Sequence, residues 1–308
     1  MNREIFSGLL AKSGLKHSED KLPSLNSNID DGNKSRVWYF SDESGQRWVI
    51  KQYPEWVAET DISWIHNYMF KLAQKGFPLA EAKGEPLSLN KNFYAVYSFA
   101  DGTQYDPLNK SHFVDMAEKL GLLHNLSHNM KIDGCRNWPV VAGFTYRGDN
   151  RFLTDAWNIS SKLLQNYNGV IMPIHGDFRK DNIRFSQSGI SKVFDFGNAR
   201  NDYPEVDLAI SLRDVSSGLV TSDWVNTQSE FLKIYKNFVN GTPRILPDSI
   251  CGSGLVLAVQ ENSYLLHELS AGRGDERVKN ALADESNYLE FLLANLSTQL
   301  LLYRSIFT

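Results

Sequence analysis

Acidic and amide side chains recur at short intervals in the middle of this sequence. Asp177 and Asn182 belong to the segment His175-Gly-Asp-Phe-Arg-Lys-Asp-Asn182, and Asp195 follows soon afterwards in Asp195-Phe-Gly197. Carboxylate and amide oxygens bind hard divalent cations, and a carboxylate can also accept a proton from a reacting hydroxyl. Each piece alone is typical of a turn with Asx-type caps. Together and in this order, the three side chains predict proton transfer beside a divalent metal.

This pattern resembles that of the protein-kinase-like phosphotransferases, and more closely the branch of aminoglycoside phosphotransferases, choline kinases and type II homoserine kinases. That branch has His-Gly-Asp or His-Ala-Asp in the loop, as His175-Gly-Asp177 does here. The resemblance covers roughly residues 30–215 and is strongest over 172–211. Within the latter range, Tyr203-Pro-Glu-Val-Asp207 looks like the start of the helix that follows the metal-binding aspartate. The resemblance implies ATP and Mg²⁺ as cofactors.

The resemblance also implies a role for each residue of the pattern. Phosphoryl transfer needs an aligned acceptor hydroxyl, a group that accepts its proton, and metal that neutralises the triphosphate charge. Asp177 stands at the position of the catalytic base, and Asn182 and Asp195 stand at the positions of the metal ligands. Arg179, close behind the base, is placed to reach the γ-phosphate. His175 is expected to brace the loop by hydrogen bonding rather than to transfer a proton.

The N-terminal part of the chain supplies the residues expected to hold the nucleotide phosphates. Trp48-Val-Ile-Lys51 ends a predicted strand and is similar to the strand that presents a lysine to the α- and β-phosphates. The alternative reading of Lys51 is a snorkelling residue at a sheet edge. Gly32 and the backbone amides after it are the candidate loop over the phosphates, in a segment without the G-x-G-x-x-G pattern.

The connector Tyr97-Ser-Phe-Ala100 is the candidate hinge. By the same resemblance, backbone N–H and C=O groups at Phe99 and Ala100 would contact the adenine edge. Such contacts leave no side-chain signature, so the sequence does not distinguish ATP from GTP.

One expected ion pair is missing from its usual place. In the family, the strand lysine pairs with a glutamate on the following helix, but the helix predicted over Thr60–Lys75 contains no glutamate. His66 and Asn67 occupy the more usual spacing, whereas Glu59 lies just before the helix. Either the helix begins early and Glu59 pairs with Lys51, or another group replaces the pair.

Apolar periodicity predicts a sheet-rich first part and a helical second part. Strands are predicted over 36–41, 46–52 and 93–98, helices over 60–75, 111–129 and 153–167, a small hairpin over 182–194, and mostly helix after 205. The predicted fold class is α+β, a bilobal protein-kinase-like fold. A small antiparallel-sheet N-lobe covers residues 1–98, a hinge covers 99–106, and a larger, mainly helical C-lobe with the catalytic loop and acceptor-binding helices covers 107–308.

Composition and charge exclude several classes of protein. The chain has 308 residues, of which 42% are hydrophobic, so it is long and apolar enough for a large core. A net charge of −4 gives no overall reason to bind nucleic acid. No run reaches the roughly 18 apolar residues of a membrane span, and the N-terminus does not resemble a secretory signal. We expect a cytoplasmic protein with Cys135 and Cys251 reduced; the sequence does not indicate its oligomeric state.

The phosphate acceptor is expected to be a small molecule that carries a hydroxyl group. The segment from Gly197 to Asp207 is too short for a phosphoregulated activation loop. Residues 198–308 hold fourteen acidic and nine basic residues, which favours an amine-bearing acceptor, although solvated surface charges give the same count. Asp207 is most simply read as a helix N-cap, and a role in substrate binding is the alternative. Further polar candidates near the acceptor are Arg213, Asp214, Glu261 and Glu268.

Three functions stay open at this level. The first is an ATP- and Mg²⁺-dependent kinase of a small hydroxylated metabolite or antibiotic, and the second is an atypical bacterial Ser/Thr protein kinase. The third is a nucleotide-binding pseudokinase scaffold without turnover, which the missing helix glutamate suggests. Transfer of labelled phosphate to small amino alcohols or only to protein separates the first two. The retained base and metal ligands argue against the third.

Overall fold

The computed structural model describes residues 1, 3–17, 35–134, 144–217, 223–239 and 241–307, and the backbone of residues 24–25. Two residues singled out in the sequence, Gly32 and Cys135, lie outside these ranges. Cys251 is a buried free thiol, as expected for a reduced cysteine.

The elements of the first third of the chain are, in order, α1 Arg3–Ser13, β1 Ser24–Leu25, β2 Arg36–Ser41, β3 Arg47–Gln52, α2 Glu59–Gln74, β4 Ala82–Leu89 and β5 Asn92–Ser98. They are followed by α3 Lys110–Ser127, α4 Arg151–Leu164, β6 Met172–Ile174, β7 Ile183–Ser186, β8 Gly189–Val193 and β9 Arg200–Asp202. The remaining elements are α5 Pro204–Ser216, α6 Asp223–Val239, α7 Pro247–Ser270 and α8 Glu276–Phe307. Within the described ranges, none of these helices combines the length and apolar character needed to cross a membrane.

The described residues form two compact units. The first consists of Met1–Tyr105, Lys131–Arg136 and Asp181–Gly197, and it contains the sheet β1–β5 and the β7–β8 hairpin. The second consists of Asp106–Met130, Asn137–Lys180 and Asn198–Thr308, and it contains α3–α8 and the β6–β9 pair. The domain boundaries at residues 98 and 106 stay a prediction from the sequence.

The first unit is built on an antiparallel sheet with the strand order β1-β2-β3-β5-β4. The predicted hairpin β2–β3 forms with Ser41 opposite Arg47. Its turn is held by Asp42, whose carboxylate accepts hydrogen bonds from the Ser44 N–H at 2.9 Å and from the Trp48 indole at 2.9 Å. Because β3 lies between β2 and β5, Lys51 stands in an interior strand and not at a sheet edge.

Strand β4 is the main element that periodicity did not predict. Most of its side chains are exposed or half-exposed, and its pairing with β5 is interrupted by a bulge between Lys83 and Leu87. The alternation that identifies a half-buried strand is therefore absent from its sequence. Helix α1, also not predicted, contacts this strand through the Lys12 ammonium, which donates to the Pro86 carbonyl at 2.7 Å.

The second unit is a group of packed helices. Apolar residues from three of its helices form one core cluster: Leu153 and Ala156 of α4, Leu255, Ala258 and Val259 of α7, and Leu289 and Leu292 of α8. Helix α5 is buried over most of its length, including the carboxylates of Glu205 and Asp207. Buried carboxylates need hydrogen-bond donors in place of water, so the segments that pack against α5 must supply donors to Glu205 and Asp207.

Glu205 accepts hydrogen bonds from the Tyr167 hydroxyl at 2.9 Å and from the Leu246 N–H at 2.7 Å. Burial nevertheless outweighs these bonds and raises the pKa of Glu205 to about 7. The protonated carboxyl is thus favoured in the folded protein relative to the unfolded chain. Such a group contributes stability below its unfolded pKa, and this contribution is lost as the pH rises through the folded pKa.

We predict that Glu205→Gln flattens the pH dependence of the free energy of unfolding between about pH 4.5 and 7. The amide mimics the protonated carboxyl and does not ionise, so the variant avoids a loss of up to about 3 kcal/mol, at about 1.4 kcal/mol per pKa unit. Urea unfolding across this range measures the effect, with Glu290→Gln at an exposed position of α8 as the control. An unchanged slope in Glu205→Gln would contradict the assignment.

Candidate active site

The β7–β8 hairpin of the first unit brings Asn182 and Asp195 to the same end of two paired strands. Ile183 pairs with Val193 in this hairpin, and the Phe194 N–H donates to the Asn182 carbonyl at 3.0 Å. Asn182 directly precedes β7 and Asp195 lies just beyond β8, so the register sets the backbones of the two residues side by side. One carboxylate and one amide oxygen are a donor set suited to a hard divalent cation.

Lys51 reaches the same place from strand β3. Its Nζ atom lies 2.6 Å from Asp195 Oδ1, and its side chain is only 13% exposed. The Gly197 N–H also donates to Asp195 Oδ1, at 3.3 Å. A Cβ atom on Gly197 would lie 2.7 Å from Lys51 Nζ, so a side chain at this position would displace the ammonium group. The reading of Lys51 as a snorkelling edge residue is therefore wrong.

Asp195 has a left-handed backbone conformation, with φ at +60°. This region is uncommon for a residue other than glycine, and such strain persists only where the surroundings hold it. On one side, the β8 strand fixes the chain. On the other side, Phe196 is buried against Tyr68 of α2, with ring centroids 5.9 Å apart. In this conformation the Asp195 carboxylate contacts Lys51.

The partner proposed for Lys51 from the sequence, Glu59, is the first residue of α2 and its side chain is exposed. The helix does begin at Glu59, and this early start was a condition of the alternative in which Glu59 pairs with Lys51. The groups that the structure places next to the ammonium are instead the Asp195 carboxylate and the ring of Tyr53, whose centroid is 5.2 Å from Nζ. A role for Glu59 stays a prediction.

The candidate hinge is bonded to the sheet on its N-terminal side. The Phe99 N–H donates to the Arg47 carbonyl at 3.1 Å, and the Arg47 guanidinium lies 4.0 Å above the Phe99 ring. Further along, Thr103 exchanges two backbone hydrogen bonds of 2.9 Å with Phe185 of the hairpin. Because the Phe99 N–H is engaged, the candidate adenine contacts are the Phe99 carbonyl and the Ala100 N–H, which stay predictions.

In the second unit, the loop 175–180 is bonded along one face of α5. Three polar residues of this helix recur at helical spacing and make these bonds: Asp207, Ser211 and Asp214. The bonds join the His175 and Gly176 N–H groups to Asp207, the Phe178 carbonyl to the Ser211 hydroxyl, and the Lys180 N–H to Asp214, at 2.9, 2.8, 2.7 and 2.6 Å. This stripe was not predicted from the sequence, where its signal is the helical spacing of Asp207, Ser211 and Asp214.

The interpretation of Asp207 as a helix N-cap is wrong. Helix α5 begins at Pro204 with Tyr203 as its N-cap, so Asp207 lies inside the helix, where it is fully buried. Burial raises the pKa of Asp207, but the hydrogen bonds from His124 and from the His175 N–H outweigh burial and leave its pKa below the usual value. An ionised carboxylate only accepts, so His124 donates to it through Nε2 at 3.3 Å.

The loop carries Asp177 in a constrained conformation. His175 is fully buried, and its Nδ1 accepts a hydrogen bond from the Asp177 N–H at 3.2 Å, which is the bracing role expected from the sequence. Gly176 has φ at +76°, and a Cβ atom there would collide with the Asn198 carbonyl. The Asp177 carboxylate is 3.3 Å from Arg179 Nε. Arg179 is thus placed beside the candidate base, and its proposed contact with phosphate stays a prediction.

The four polar residues suggested for the acceptor differ in their surroundings. Asp214 holds the loop, as described above. Arg213 forms an ion pair with Glu285 of α8, and its guanidinium lies 4.3 Å above the Tyr288 ring. Glu268 pairs with Arg273 at 2.7 Å near the end of α7. Glu261, whose charge acts on Arg213, is the remaining acidic candidate on that helix.

The chain is similar to known proteins in sequence and in fold. The sequence model described as the phosphotransferase enzyme family matches residues 27–237. A homoserine kinase of Sinorhizobium medicae (strain WSM419) is 26% identical in an alignment of 181 residues, and the match covers 54% of this chain and 56% of that enzyme. The chain thus spans little more than half the length of this curated relative.

Two solved structures are similar over nearly their whole length. An amicoumacin kinase in complex with AMP-PNP, Ca²⁺ and Ami has a TM-score of 0.70 and 16% identity, covering 97% of this chain and 96% of that chain. A microcompartment-associated aminopropanol kinase has a TM-score of 0.68 and 12% identity, covering 97% of this chain and 98% of that chain. At these identities the likeness shows the fold, and the predicted α+β, kinase-like fold class is confirmed.

We predict that Asp207→Asn loosens the loop 175–180 and lowers the free energy of unfolding. The amide has one carbonyl oxygen in place of a carboxylate that accepts from two loop N–H groups and His124, so a buried donor loses its partner at a cost of about 1–3 kcal/mol. Urea unfolding and hydrogen exchange of the His175 and Gly176 amides measure both effects. Asp155→Asn, exposed on α4, is the control. Wild-type exchange rates in Asp207→Asn would contradict the prediction.

Proposed function

The chain belongs to the phosphotransferase enzyme family, and on this premise we propose that it transfers the γ-phosphate of ATP to a hydroxyl group of a small molecule. The resemblance identified in the sequence is thereby confirmed, and the chain is an enzyme of the phosphotransferase class. The observation that carries the proposal is the convergence of Lys51, Asn182 and Asp195 at one end of the β7–β8 hairpin.

We propose Mg²⁺ as the metal, held by Asn182 and Asp195. Among the described residues there is no group of three or more His, Cys, Asp or Glu side chains that could hold an ion by itself. One carboxylate and one amide suit a cation that keeps several waters and takes further oxygens from a substrate's phosphates. When bound, such an ion supplies positive charge to the triphosphate. The AMP-PNP and Ca²⁺ named with the amicoumacin kinase support a nucleotide and a divalent metal for this fold.

Side chains of this protein bind the phosphates, accept the proton and stabilise the transferred group. Lys51 binds the α- and β-phosphates through its ammonium group. Asp177 accepts the proton of the acceptor hydroxyl as that oxygen bonds to the γ-phosphorus, while the bond to the β-phosphate oxygen breaks and ADP leaves. Arg179 contributes positive charge beside Asp177 and stabilises the transferred phosphoryl group. The bonds from α5 to the loop keep Asp177 fixed during this step, because pre-organised groups need not reorganise when the reaction occurs.

An amine-bearing acceptor is favoured within the small-molecule class. The names of the relatives, homoserine kinase and aminopropanol kinase, denote substrates that carry both a hydroxyl and an amine. Acidic residues outnumber basic ones over residues 198–308, and Glu261 of α7 is the candidate contact for the ammonium group. A panel of amino alcohols, hydroxyamino acids and aminoglycosides, assayed by ADP release, identifies the acceptor.

A protein acceptor is less compatible with the path of the chain after Asp195. A short 3-10 turn over Phe196–Asn198 leads through β9 directly into α5. No additional stretch of chain lies here to form a regulated segment that would hold a protein substrate. Transfer of labelled phosphate only to protein bands would favour the protein-kinase alternative.

We predict that Asp195→Asn weakens the binding of AMP-PNP in the presence of Mg²⁺ by about tenfold or more. The substitution removes the carboxylate charge that attracts the cation and that pairs with Lys51. Titration calorimetry with and without Mg²⁺ measures the metal-dependent part of the affinity. Equal affinity in Asp195→Asn and the wild type with Mg²⁺ present would refute the metal assignment.

We predict that Asp177→Asn leaves AMP-PNP affinity nearly unchanged and lowers kcat by about 10²–10⁴-fold. The amide cannot accept the hydroxyl proton, and general-base groups contribute rate factors of this size. Calorimetry and ADP release, performed on one preparation, separate binding from turnover. The exposed Asp155→Asn is the matched control, and a kcat close to that of the wild type in Asp177→Asn would remove Asp177 from the role of base.

A further inference from the structure

A chain of hydrogen bonds links α2 to the strand that carries Lys51. The His66 Nε2 atom lies 2.8 Å from the Tyr97 hydroxyl, and this hydroxyl also bonds to the Tyr53 hydroxyl. The rings of His66 and Tyr97 meet edge to face, with centroids 5.5 Å apart. Tyr97 belongs to β5, and Tyr53 directly follows β3. The three side chains therefore connect the helix with two neighbouring strands of the sheet.

Tyr53, the last residue of this series of hydrogen bonds, contacts the ammonium group of Lys51. The Tyr53 ring centroid is 5.2 Å from Lys51 Nζ, within the range of a cation–π contact. The same Nζ atom is 2.6 Å from Asp195 Oδ1. Lys51 is thus held between an aromatic face and a carboxylate. The Tyr53 ring is in turn fixed at its hydroxyl end by Tyr97, because a hydrogen bond there limits rotation and sliding of the ring.

Two members of this hydrogen-bond network, His66 and Tyr97, are uncharged at neutral pH. Burial lowers the pKa of His66 to about 4, so its imidazole is neutral. Burial, followed by the neighbouring Tyr53, raises the pKa of Tyr97 well above its usual value, so its hydroxyl keeps its proton. Each of the two bonds then needs one proton, which a tyrosine hydroxyl or the N–H of the neutral imidazole can supply.

We propose that His66, Tyr97 and Tyr53 position Lys51 for the nucleotide, in place of an acidic partner on α2. This inference rests on the proposed function, in which the ammonium group binds phosphates. The network acts through Lys51, so its members are positioning residues and not catalytic ones. Because His66 and Tyr97 are uncharged, they do not neutralise Lys51, and its charge is available to Asp195 and to the phosphates.

Tyr97→Phe is the central test, because it removes one hydroxyl and keeps the ring. A lost hydrogen bond of about 1 kcal/mol corresponds to about a fivefold weaker affinity for AMP-PNP with Mg²⁺, measured by calorimetry. The KM for ATP should rise by a similar factor, with a smaller change in kcat. Tyr94→Phe is the matched control: Tyr94 lies on the same strand but packs into the cluster of Trp38 on the opposite face. Equal affinities in the two variants, at wild-type level, would overturn the proposal.

Substitutions of His66 separate positioning from packing. His66→Gln retains a polar group for the Tyr97 hydroxyl and should keep most of the affinity, whereas His66→Leu fills the space and should lose about fivefold. His66 also lines a cavity of about 470 Å³ together with Asn67, Phe70, Glu81 and Glu85. Free imidazole can therefore reach the site in His66→Ala and should restore AMP-PNP affinity there, but not in Tyr97→Phe. Loss of affinity in His66→Gln equal to that in His66→Leu, without restoration by imidazole, would overturn the proposal.

Failure of this inference is distinguishable from failure of the proposed function. If the wild type does not bind AMP-PNP with Mg²⁺, the nucleotide-dependent function itself is wrong. If the wild type binds, and Lys51→Met loses affinity while Tyr97→Phe and His66→Leu do not, Lys51 binds phosphate without the network. Urea midpoints of all variants, compared with Tyr94→Phe, show whether a loss of affinity merely follows a loss of folding.

Discussion

The position of the loop that carries Asp177 depends on one set of interactions, the hydrogen bonds that the buried, ionised carboxylate of Asp207 accepts. Taking a charge out of water is costly unless donors replace the water, and here the donors are loop N–H groups and His124. The same requirement that keeps α5 stable therefore holds the loop in one conformation. Asp177 is positioned by a side chain that never needs to contact a substrate.

The first unit contains a mostly buried positive charge, which likewise needs partners in place of water. Lys51 is mostly buried in an interior strand, and its charge is met by Asp195 and by the ring of Tyr53. Asp195 makes this pair from a left-handed backbone conformation, and the hairpin register brings Asn182 beside it. A group of phosphates with divalent metal combines both signs of charge, which is what a lysine, a carboxylate and an amide at one place can accommodate. The neighbouring His66 and Tyr97 are uncharged and so add no further charge to these groups.

Much of the fold could be predicted because its signals are local. The hairpin β2–β3, the helix α2 and the strand β5 differ from their predicted limits by only one or two residues, since alternation, helical spacing and turn residues identify them. Strand β4 could not be predicted, because it is largely exposed and bulged. Glu59 illustrates a further limit: its spacing allowed a pair with Lys51, but spacing does not say which way a side chain at a helix start points.

The types and order of the candidate site residues could be read from the sequence, because Asp177, Asn182 and Asp195 lie in two short neighbouring segments of it. That Asp207 holds the loop instead of capping its helix follows only from how the elements pack. The same holds for the association of His66, Tyr97 and Tyr53. These contacts join residues that are far apart along the chain, and the partner of a buried polar group follows from which elements pack together, not from the residues beside it.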